Sequence, residues 1–277
     1  MNNNFVEKID NSSIEMRKKI LELTYNTGRT GAHIGGALSL VEIMCVLYNG
    51  VLQYNPMNMY DEKRDRVILS KGHGVLAWYV ALNHVGIIED SILKTFKKNG
   101  SLLSAHPSMN PQYGIEFSSG SLGQGLSLGV GCSLALNRKK NKIARVFVIL
   151  GDGECNEGSV WEAAWSASHF KCDNLIAIVD RNKLQYDGLT NVVLGDDCFE
   201  EKWRSFGWDV LCVNGHDAED IYNALTKKQT KPMVVIAETI KGKGISFMEN
   251  NPLWHNHSLS KEQYEQALEE LGGEIVD

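Results

Sequence analysis

The chain has 277 residues, 43% of them hydrophobic, and a formal net charge of −6 at pH 7. This length allows one large α/β domain with a full core. The acidic balance, with no basic run, argues against nucleic acid as a partner, and no apolar stretch is long enough to cross a bilayer. The N-terminus also lacks the apolar core of a secretion signal. We therefore expect a soluble, cytosolic protein that binds neither nucleic acid nor membranes.

Six cysteines are scattered along the chain without any Cys-x-x-Cys spacing. This pattern is typical of reduced thiols and not of a disulfide framework or a zinc site. Cys155 lies beside the most distinctive turn of the sequence, but no neighbour in the sequence would activate its thiol. We interpret Cys155 as structural.

The first segment of the chain predicts two helices that flank a glycine-rich loop. Residues 1–11 are polar, and we expect them to be loose. Helical apolar spacing runs from Ile14 to Thr27 and again from Ala37 to Tyr48. The loop between these helices, residues 28–36, contains His33. A loop histidine has no special role by default, but a flexible glycine-lined loop also suits a ligand contact.

The next segment predicts a short strand that ends in a histidine-bearing turn. The strand covers residues 64–69 and runs into Ser70-Lys71-Gly72-His73-Gly74. A helix is predicted from Val75 to Val85. His73 therefore stands where a strand ends and a helix begins, which is a position that suits an anion.

A third histidine, His106, lies in a loop, because the Pro107 that follows disfavours helix at the residue before it. The chain then enters a stretch of glycine and serine, residues 118–125, and a helix is predicted over residues 126–137. Small residues at this point allow a flat ring to approach the backbone. They also allow tight helix packing, and the sequence leaves both interpretations open.

The central feature is a Gly151-Asp152-Gly153 turn between a strand and a helix. The strand, residues 144–150, is apolar and rich in β-branched residues, as in a buried parallel sheet. A helix is predicted over residues 159–170. Doubly wound sheets bind ligands at such strand ends, where glycines and free N–H groups accept an anion. Asp152 places a carboxylate where a hard cation would need one.

A second apolar strand, residues 174–180, is followed by Asn182. One helix and one strand separate Asn182 from the Gly-Asp-Gly turn, so we expect the two to meet at the same edge of the sheet. Asp152 and Asn182 can then share one Mg²⁺ or Ca²⁺ through side-chain oxygens, with a diphosphate as a further ligand.

The remaining segments complete an alternating α/β pattern. Strands are predicted over residues 209–213 and 231–238, with a helix that opens at Asp217 between them. The second strand ends in a basic, glycine-rich turn, Lys241–Gly244, and a polar helix covers residues 259–271. We predict a single α/β domain over residues 1–277, built as a doubly wound, mainly parallel sheet with helices on both faces.

The stretch from Gly151-Asp152-Gly153 to Asn182 resembles the thiamine diphosphate fingerprint of transketolases, pyruvate dehydrogenases and related enzymes. Pyruvate dehydrogenase α-chains share the Gly-Asp-Gly turn but not the histidine loops. The resemblance is therefore to the transketolase family, over roughly residues 12–258. Four other stretches carry it: Ser70–His73, Gly120–Gly125, Lys241–Gly244 and Trp254–His255.

This resemblance implies a thiamine-diphosphate-binding fold and a set of ligands. Asp152, the side-chain oxygen of Asn182 and the carbonyl of Leu184 would bind the divalent metal, Mg²⁺ or Ca²⁺. The cofactor, thiamine diphosphate, would be held by a larger set of residues: His73, Gly120, Ser121, Leu122, Gly153, Glu157, Asn182, Leu184 and His255.

The resemblance also implies three catalytic histidines, His33, His106 and His255, which would face the hydroxyl groups of the substrate and move protons. Histidine suits this work because its pKa lies near neutrality. Glu157 and Glu162 look like the carboxylates that the family buries between subunits, although exposed helix acids are the ordinary interpretation.

The sequence departs from the family in two respects. The first histidine loop reads Gly31-Ala32-His33-Ile34-Gly35, where the family commonly has Gly-His-Pro-Gly. The sequence also ends after the first domain of a one-chain transketolase, so the glutamate that protonates the aminopyrimidine would belong to another chain. We therefore expect an N-terminal subunit that pairs with a C-terminal subunit, containing the pyrimidine-binding and C-terminal domains, in a two-plus-two heterotetramer.

The expected reaction transfers a two-carbon ketol unit from a ketose, usually phosphorylated, to an aldose. Two alternatives remain open. The chain could serve a deoxyxylulose-phosphate-synthase-like or other acyloin-forming enzyme, or it could be a binding module that has kept the fold without turnover.

Overall fold

The computed structural model describes residues 3–195 and 198–272. The α-helices are α1 (Asn3–Asn26), α2 (Ile34–Leu38), α3 (Val41–Val46), α4 (Val75–His84), α5 (Asp90–Leu93), α6 (Gly125–Arg138), α7 (Gly158–His169), α8 (Thr190–Val193), α9 (Phe199–Ser205), α10 (Ala218–Leu225) and α11 (Lys261–Glu270). The strands are β1 (Arg66–Leu69), β2 (Val146–Gly151), β3 (Leu175–Arg181), β4 (Leu184–Gln185), β5 (Gly188–Leu189), β6 (Asp209–Asn214) and β7 (Met233–Glu238). Single turns of 3₁₀-helix cover Gly28–Thr30, Gly72–Gly74, Pro111–Tyr113, Gly153–Asn156 and Pro252–His255, and a π-turn covers Leu47–Val51.

Five strands form one parallel sheet in the order β1-β2-β3-β7-β6, and β4 and β5 form a separate hairpin. At the carboxyl edge of the sheet, Gly151 of β2 pairs with Asp180 of β3, which pairs with Ala237 of β7. The three central strands therefore end level with one another. This register brings the turns that follow β2, β3 and β7 together at one edge.

Alternate residues of each strand pack into two different cores. In β2, Phe147 and Ile149 belong to a core that includes residues of α1, α3, α4 and α10. Val146, Val148 and Leu150 belong to a second core, with residues of α6, α7 and α9. Because successive side chains of a strand point to opposite faces, helices cover both faces of the sheet. The predicted doubly wound, parallel α/β fold is confirmed.

The N-terminal segment differs from the prediction. Residues 3–11, which we expected to be loose, are part of α1. Ile9 is fully buried, Phe5 and Val6 pack against the same core, and the ring of Phe5 lies 5.3 Å from that of Tyr222. Burial of these apolar side chains stabilises a helix that the polar neighbours alone would not predict. Residues 1 and 2 lie outside the described part of the chain.

The helix that we predicted from Ala37 to Tyr48 is interrupted. The N–H of Leu40 donates to the carbonyl of Ala37, three residues back, and α3 begins at Val41. At this break the hydroxyl of Ser39 donates to a buried carboxylate, Asp180 Oδ2, at 2.7 Å. The interruption therefore turns a polar side chain toward the carboxyl edge of the sheet.

Across the described residues we find no helix that combines the length and apolar character needed to span a membrane. All six cysteines are free thiols, as expected. Cys155 is buried, and burial, with the nearby Glu154 carboxylate, raises the pKa of its thiol well above the ordinary value. These surroundings leave the thiol protonated, in agreement with a structural role.

Candidate active site

A cleft of about 420 Å³ opens at the carboxyl edge of the sheet, between the turns that follow β1, β2, β3 and β7. Its walls include eight of the residues predicted from the sequence: His73, Leu122, Asp152, Gly153, Glu157, Asn182, Leu184 and His255. The strand register explains this convergence, because level strand ends bring their turns to the same place.

Asp152 connects the turns after β2 and β3. Its Oδ1 accepts the N–H of Gly153 at 2.9 Å, and its Oδ2 accepts the N–H of Lys183 at 2.6 Å. Burial, together with the neighbouring Asp180 carboxylate, raises the pKa of Asp152 to about 6. A buried carboxylate of this kind is a favourable partner for a cation.

Asn182 and Leu184, which carry the other two predicted metal ligands, line the same cleft as Asp152. The side-chain Oδ1 of Asn182 accepts the N–H of Leu184 at 3.1 Å, and its Nδ2 donates to Asp180 Oδ2 at 3.3 Å, which orients the amide oxygen away from that carboxylate. One carboxylate, one amide oxygen and one main-chain carbonyl suit a hard cation such as Mg²⁺ or Ca²⁺. Within the described residues, no three His, Cys, Asp or Glu side chains form a metal cluster, so a metal here needs the amide and the carbonyl.

A buried ion pair, which sequence reasoning missed, lies beneath the cleft. The ammonium of Lys71 contacts the carboxylate of Asp180, and both side chains are almost fully inaccessible. Asp180 also accepts hydrogen bonds from the hydroxyls of Ser39 and Thr239 and from the amide of Asn182. Burial acts to raise the pKa of Asp180, but the Lys71 ammonium and the hydrogen bonds from Thr239 and Ser39 together outweigh burial, and the pKa is lowered. An acidic residue at the end of an apolar strand was the signal that could have revealed it.

Glu154 joins three segments of the site, and its role was also missed. One carboxylate oxygen accepts the hydroxyl of Ser70 and the N–H of Gly123, and the other accepts the N–H of Gly151. The same hydroxyl of Ser70 accepts the N–H of Gly125 at 3.0 Å. Burial raises the pKa of Glu154. This carboxyl thus fixes the glycine-serine loop against the ends of β1 and β2.

The four loop histidines converge above the cleft. The imidazole of His33 lies 5.8 Å from that of His73, 5.4 Å from that of His106 and 5.5 Å from that of His255, measured between ring centroids. His73 and His255 are 5.2 Å apart, and Tyr186 stacks edge-on against His255 at 5.4 Å. Residues separated by more than two hundred positions in the sequence therefore form one cluster, as the predicted site requires.

The histidines are held in the neutral form. Burial lowers the pKa of His33 to about 4, and burial with the nearby Lys241 ammonium lowers the pKa of His255 to about 3. Burial and Lys71 lower the pKa of His73 well below its usual value, and burial lowers that of His106. A neutral imidazole can donate one hydrogen bond and accept another, so each ring can orient a hydroxyl group. The expectation of a pKa near neutrality is wrong for His33 and His255, because burial disfavours the charged ring.

The first histidine loop is fixed by the segment that carries His255. The N–H of Ala32 donates to the carbonyl of His257, and the N–H of His257 donates back to the carbonyl of Ala32, both at 3.1 Å. Gly31 has a φ of +56°, and a Cβ there would lie 2.6 Å from the carbonyl group of His257. The altered sequence of this loop therefore still places His33 in the cluster.

The other predicted residues lie at the rim. Gly120 contacts the ring of His106, because a Cβ on Gly120 would be 3.2 Å from that ring. Ser121 is exposed beside Leu122, which lines the cleft. Glu157 lines the cleft with an exposed side chain, and Glu162 is exposed on α7.

Lys241 is a further member of the site that the sequence analysis left without a role. Its ammonium is buried and donates 3.0 Å hydrogen bonds to the carbonyl of Leu184 and to Nδ1 of His255. Burial, with the nearby Lys71, lowers the pKa of Lys241 to about 8. The base of the cleft thus combines two ammonium groups with an oxygen-donor set, a pattern that suits an anion bound together with a divalent cation.

Comparisons with known proteins establish the family of this chain. Residues 12–275 match the family model described as transketolase, thiamine diphosphate binding domain. The chain is 40% identical to one of the subunits of the apulose-4-phosphate transketolase of Phocaeicola vulgatus, over 98% of this chain and 96% of that protein. It is also 40% identical to the SqwG subunit of the 6-deoxy-6-sulfo-D-fructose transketolase of a Clostridium species, over 92% of this chain and 93% of that protein.

Longer relatives match only in part. The chain is 34% identical to human transketolase over 94% of its own length but spans 41% of the human protein. The crystal structure of Campylobacter jejuni transketolase superposes with a TM-score of 0.87 at 29% identity, covering 99% of this chain and 43% of that one. The match of the family model over nearly the whole chain and the two near full-length relatives establish the family predicted from the sequence: the chain belongs to the transketolase family, as its thiamine diphosphate binding domain.

Proposed function

We propose that this chain is the thiamine-diphosphate-binding subunit of a two-chain transketolase, which transfers a two-carbon ketol unit from a ketose, usually phosphorylated, to an aldose. The relatives that it matches over more than nine-tenths of both lengths are named as subunits of transketolases. The observation that carries the proposal is the convergence of His33, His73, His106 and His255 over the cleft that contains Asp152 and Asn182.

The residues of the cleft fit the cofactor and its metal. Asp152, Asn182 and the Leu184 carbonyl supply the hard oxygen donors that Mg²⁺ or Ca²⁺ requires. Next to these oxygen atoms, the Gly153 N–H and the Lys241 ammonium supply hydrogen-bond donors and positive charge for a diphosphate. When bound, thiamine diphosphate supplies the carbanion chemistry that makes and breaks the carbon–carbon bond.

The histidines supply the proton chemistry of the sugar. In the proposal, His106 and His255 orient the hydroxyl groups of the donor and stabilise negative charge that develops on its oxygen atoms. His33 accepts or returns a proton near the acceptor. The neutral rings support the orienting roles, because each can donate one hydrogen bond to the sugar and accept another. Because its pKa is lowered to about 4, His33 is a weaker base than a free imidazole and returns a proton readily. The edge-to-face contact of His33 with His255 keeps the two rings in place.

The surface around the cleft favours a partner chain. Tyr186, Val192 and Leu194 lie on the segment that follows the predicted metal ligands, with 73%, 76% and 66% of their surfaces exposed. Large apolar side chains grouped at a functional site are typical of an interaction surface. We propose that a C-terminal subunit with pyrimidine-binding and C-terminal domains covers them, in a two-plus-two heterotetramer.

The test is reconstitution. The chain is purified with and without a partner chain that carries the pyrimidine-binding domain, and ketol transfer is followed with phosphorylated ketose donors, aldose acceptors, thiamine diphosphate and Mg²⁺. We expect transfer only with both chains, and its loss in Asp152→Asn. Release of CO₂ from pyruvate would instead support an acyloin-forming enzyme, and inactivity of every pairing that binds the cofactor would support a binding module.

A further inference from the structure

A second buried ionic cluster lies behind the site and does not touch the cleft. The carboxylate of Glu42, on α3, contacts both terminal nitrogens of Arg17, on α1, at 2.6 and 2.9 Å. Its Oε2 also lies 2.9 Å from Nδ1 of His216, in the loop between β6 and α10. Arg17 and Glu42 are more than nine-tenths buried.

This cluster holds both sides of the segment that carries Lys241. The N–H of Ile240 donates to Nε2 of His216 at 2.8 Å. The Nε of Arg17 donates to the carbonyl of Lys243 at 2.9 Å. Lys241 lies between these two anchors, and its ammonium reaches the Leu184 carbonyl and the ring of His255.

The hydrogen bonds specify one tautomer of His216. Because Nε2 accepts the N–H of Ile240, the ring proton must be on Nδ1, where it is donated to Glu42. Glu42 is ionised: burial acts to raise its pKa, but the hydrogen bond from His216 and the charge of Arg17 outweigh burial and lower the pKa to about 2. The negative charge of Glu42 thus keeps the ring proton on Nδ1. Nε2 then carries no proton and can accept the N–H of Ile240.

The backbone of the segment leaves little room for another arrangement. The N–H of Gly242 donates to the carbonyl of Gly35 at 3.0 Å. Gly244 has a φ of +95°, and a Cβ there would meet the Nε of Arg17 at 2.9 Å. The segment therefore packs directly on the cluster, and a shift of the cluster would be transmitted to Lys241.

We propose that His216, oriented by Glu42, is a positioning residue that fixes Lys241 for the diphosphate of the cofactor through its hydrogen bond with the N–H of Ile240. This inference rests on the proposed function. His216 itself contacts neither the cleft nor its lining in the described structure, so its effect passes through the backbone of residues 240–243.

Two substitutions of similar size separate the two hydrogen bonds of His216, one with Glu42 and one with the N–H of Ile240. In His216→Gln the amide group reaches the place of Nε2 and can still accept the N–H of Ile240. In His216→Asn the amide group reaches only the place of Nδ1, so it keeps the contact with Glu42 and leaves the N–H of Ile240 without its acceptor. The dissociation constant of thiamine diphosphate with Mg²⁺ is measured by calorimetry, together with the melting temperature of each variant.

We expect H216N to bind the cofactor about tenfold more weakly and H216Q to stay within about threefold of wild type. The reason is that a buried N–H without an acceptor costs more free energy than an N–H whose acceptor is replaced by another. In a Lys241→Met background, H216N should weaken binding no further, since the effect passes through Lys241. Equal affinity of H216N and wild type, or a full additional loss in the Lys241→Met background, would overturn the inference.

An amide-exchange measurement gives a readout without the cofactor. H216N should accelerate exchange at Ile240 while leaving the β7 amides unchanged, and the nitrogen chemical shifts of His216 in the wild type should show a proton on Nδ1 only. A proton on Nε2 would overturn this inference and leave the proposed function standing. A wild-type chain that fails to bind thiamine diphosphate would overturn both.

Discussion

The ammonium of Lys71 and the carboxylate of Asp180 form an ion pair beneath the cleft, and almost none of either side chain reaches solvent. Lys71 follows β1 and Asp180 is the last residue but one of β3, with β2 between the two strands. The pair therefore joins strands that are not neighbours and supports Asn182, whose amide donates to the same carboxylate. This buried ion pair therefore holds in place the turn after β3, which carries the proposed metal ligands Asn182 and Leu184.

Replacement of Asp180 by Asn should strongly destabilise the chain, because it leaves the Lys71 charge buried without its counter-ion. We expect a loss of about 3–5 kcal/mol in the free energy of unfolding, measured by urea denaturation. The double variant Lys71→Met with Asp180→Asn should recover part of this loss. The exposed pair of Arg204 and Glu201 gives the control, because Glu201→Gln should cost less than about 1 kcal/mol. Equal losses at the two pairs would contradict this account.

Two glycines of α6 offer a matched test of the glycine-serine loop. A Cβ on Gly125 would lie 2.3 Å from the side chain of Ser70, whereas a Cβ on Gly131 meets nothing within 4 Å. Gly125→Ala should push the helix start away from Ser70, lower the melting temperature and weaken cofactor binding. Gly131→Ala should stabilise the chain by about 0.5–1 kcal/mol, because alanine favours helix. A Gly125→Ala variant as stable as Gly131→Ala would show that the Ser70 contact is unimportant.

His106→Ala should separate turnover from cofactor binding in the reconstituted enzyme. The ring lies over Gly120 and beside His33, and it is not among the residues that line the cleft. We expect a fall of about 10²-fold in kcat, the usual contribution of one hydrogen-bond donor that stabilises a developing oxyanion, with little change in the dissociation constant of thiamine diphosphate. His169→Ala, at the exposed end of α7, serves as the control. Equal losses of turnover and cofactor affinity would refute the role.

The buried carboxylate of Glu42 should make the free energy of unfolding depend on pH. Its pKa is lowered from 4.5 to about 2, so the folded state binds its proton less readily than the unfolded chain does. The resulting stabilisation is complete above pH 4.5 and is lost as the pH falls toward 2. Glu42→Gln should therefore lower the free energy of unfolding by about 3 kcal/mol at pH 7, the equivalent of this shift, and the difference should shrink below pH 4.5. A difference that persists unchanged at pH 3 would contradict this linkage.

The sequence predicted the strand ends well because local pattern and local chemistry agree there. Apolar β-branched runs followed by glycine or a polar turn indicated β2 and β3, and parallel pairing then required Asp152 and Asn182 to share an edge. The helix start at Asn3 was not predicted, because its apolar residues are few and their burial depends on distant partners such as Tyr222.

The buried polar contacts were equally inaccessible to pattern analysis. Lys71 and Asp180 are more than a hundred residues apart, and a charged residue in a sequence is by default an exposed one. Glu154 lies beside the Gly-Asp-Gly turn and accepts the N–H of Gly151 locally, but its other two partners, Ser70 and Gly123, come from segments whose meeting depends on the whole fold. Local sequence predicted candidate functional residues, and the tertiary contacts show which other residues hold these candidates in place.

The most direct test of the central claim is a titration of the purified chain with thiamine diphosphate and Mg²⁺, followed by tryptophan fluorescence and repeated with a partner chain that carries the pyrimidine-binding domain. The account predicts weak, Mg²⁺-dependent binding to the chain alone, loss of that binding in Asp152→Asn, and tight binding with ketol transfer when both chains are present. Absence of binding in both conditions, or ketol transfer by this chain alone, would contradict it.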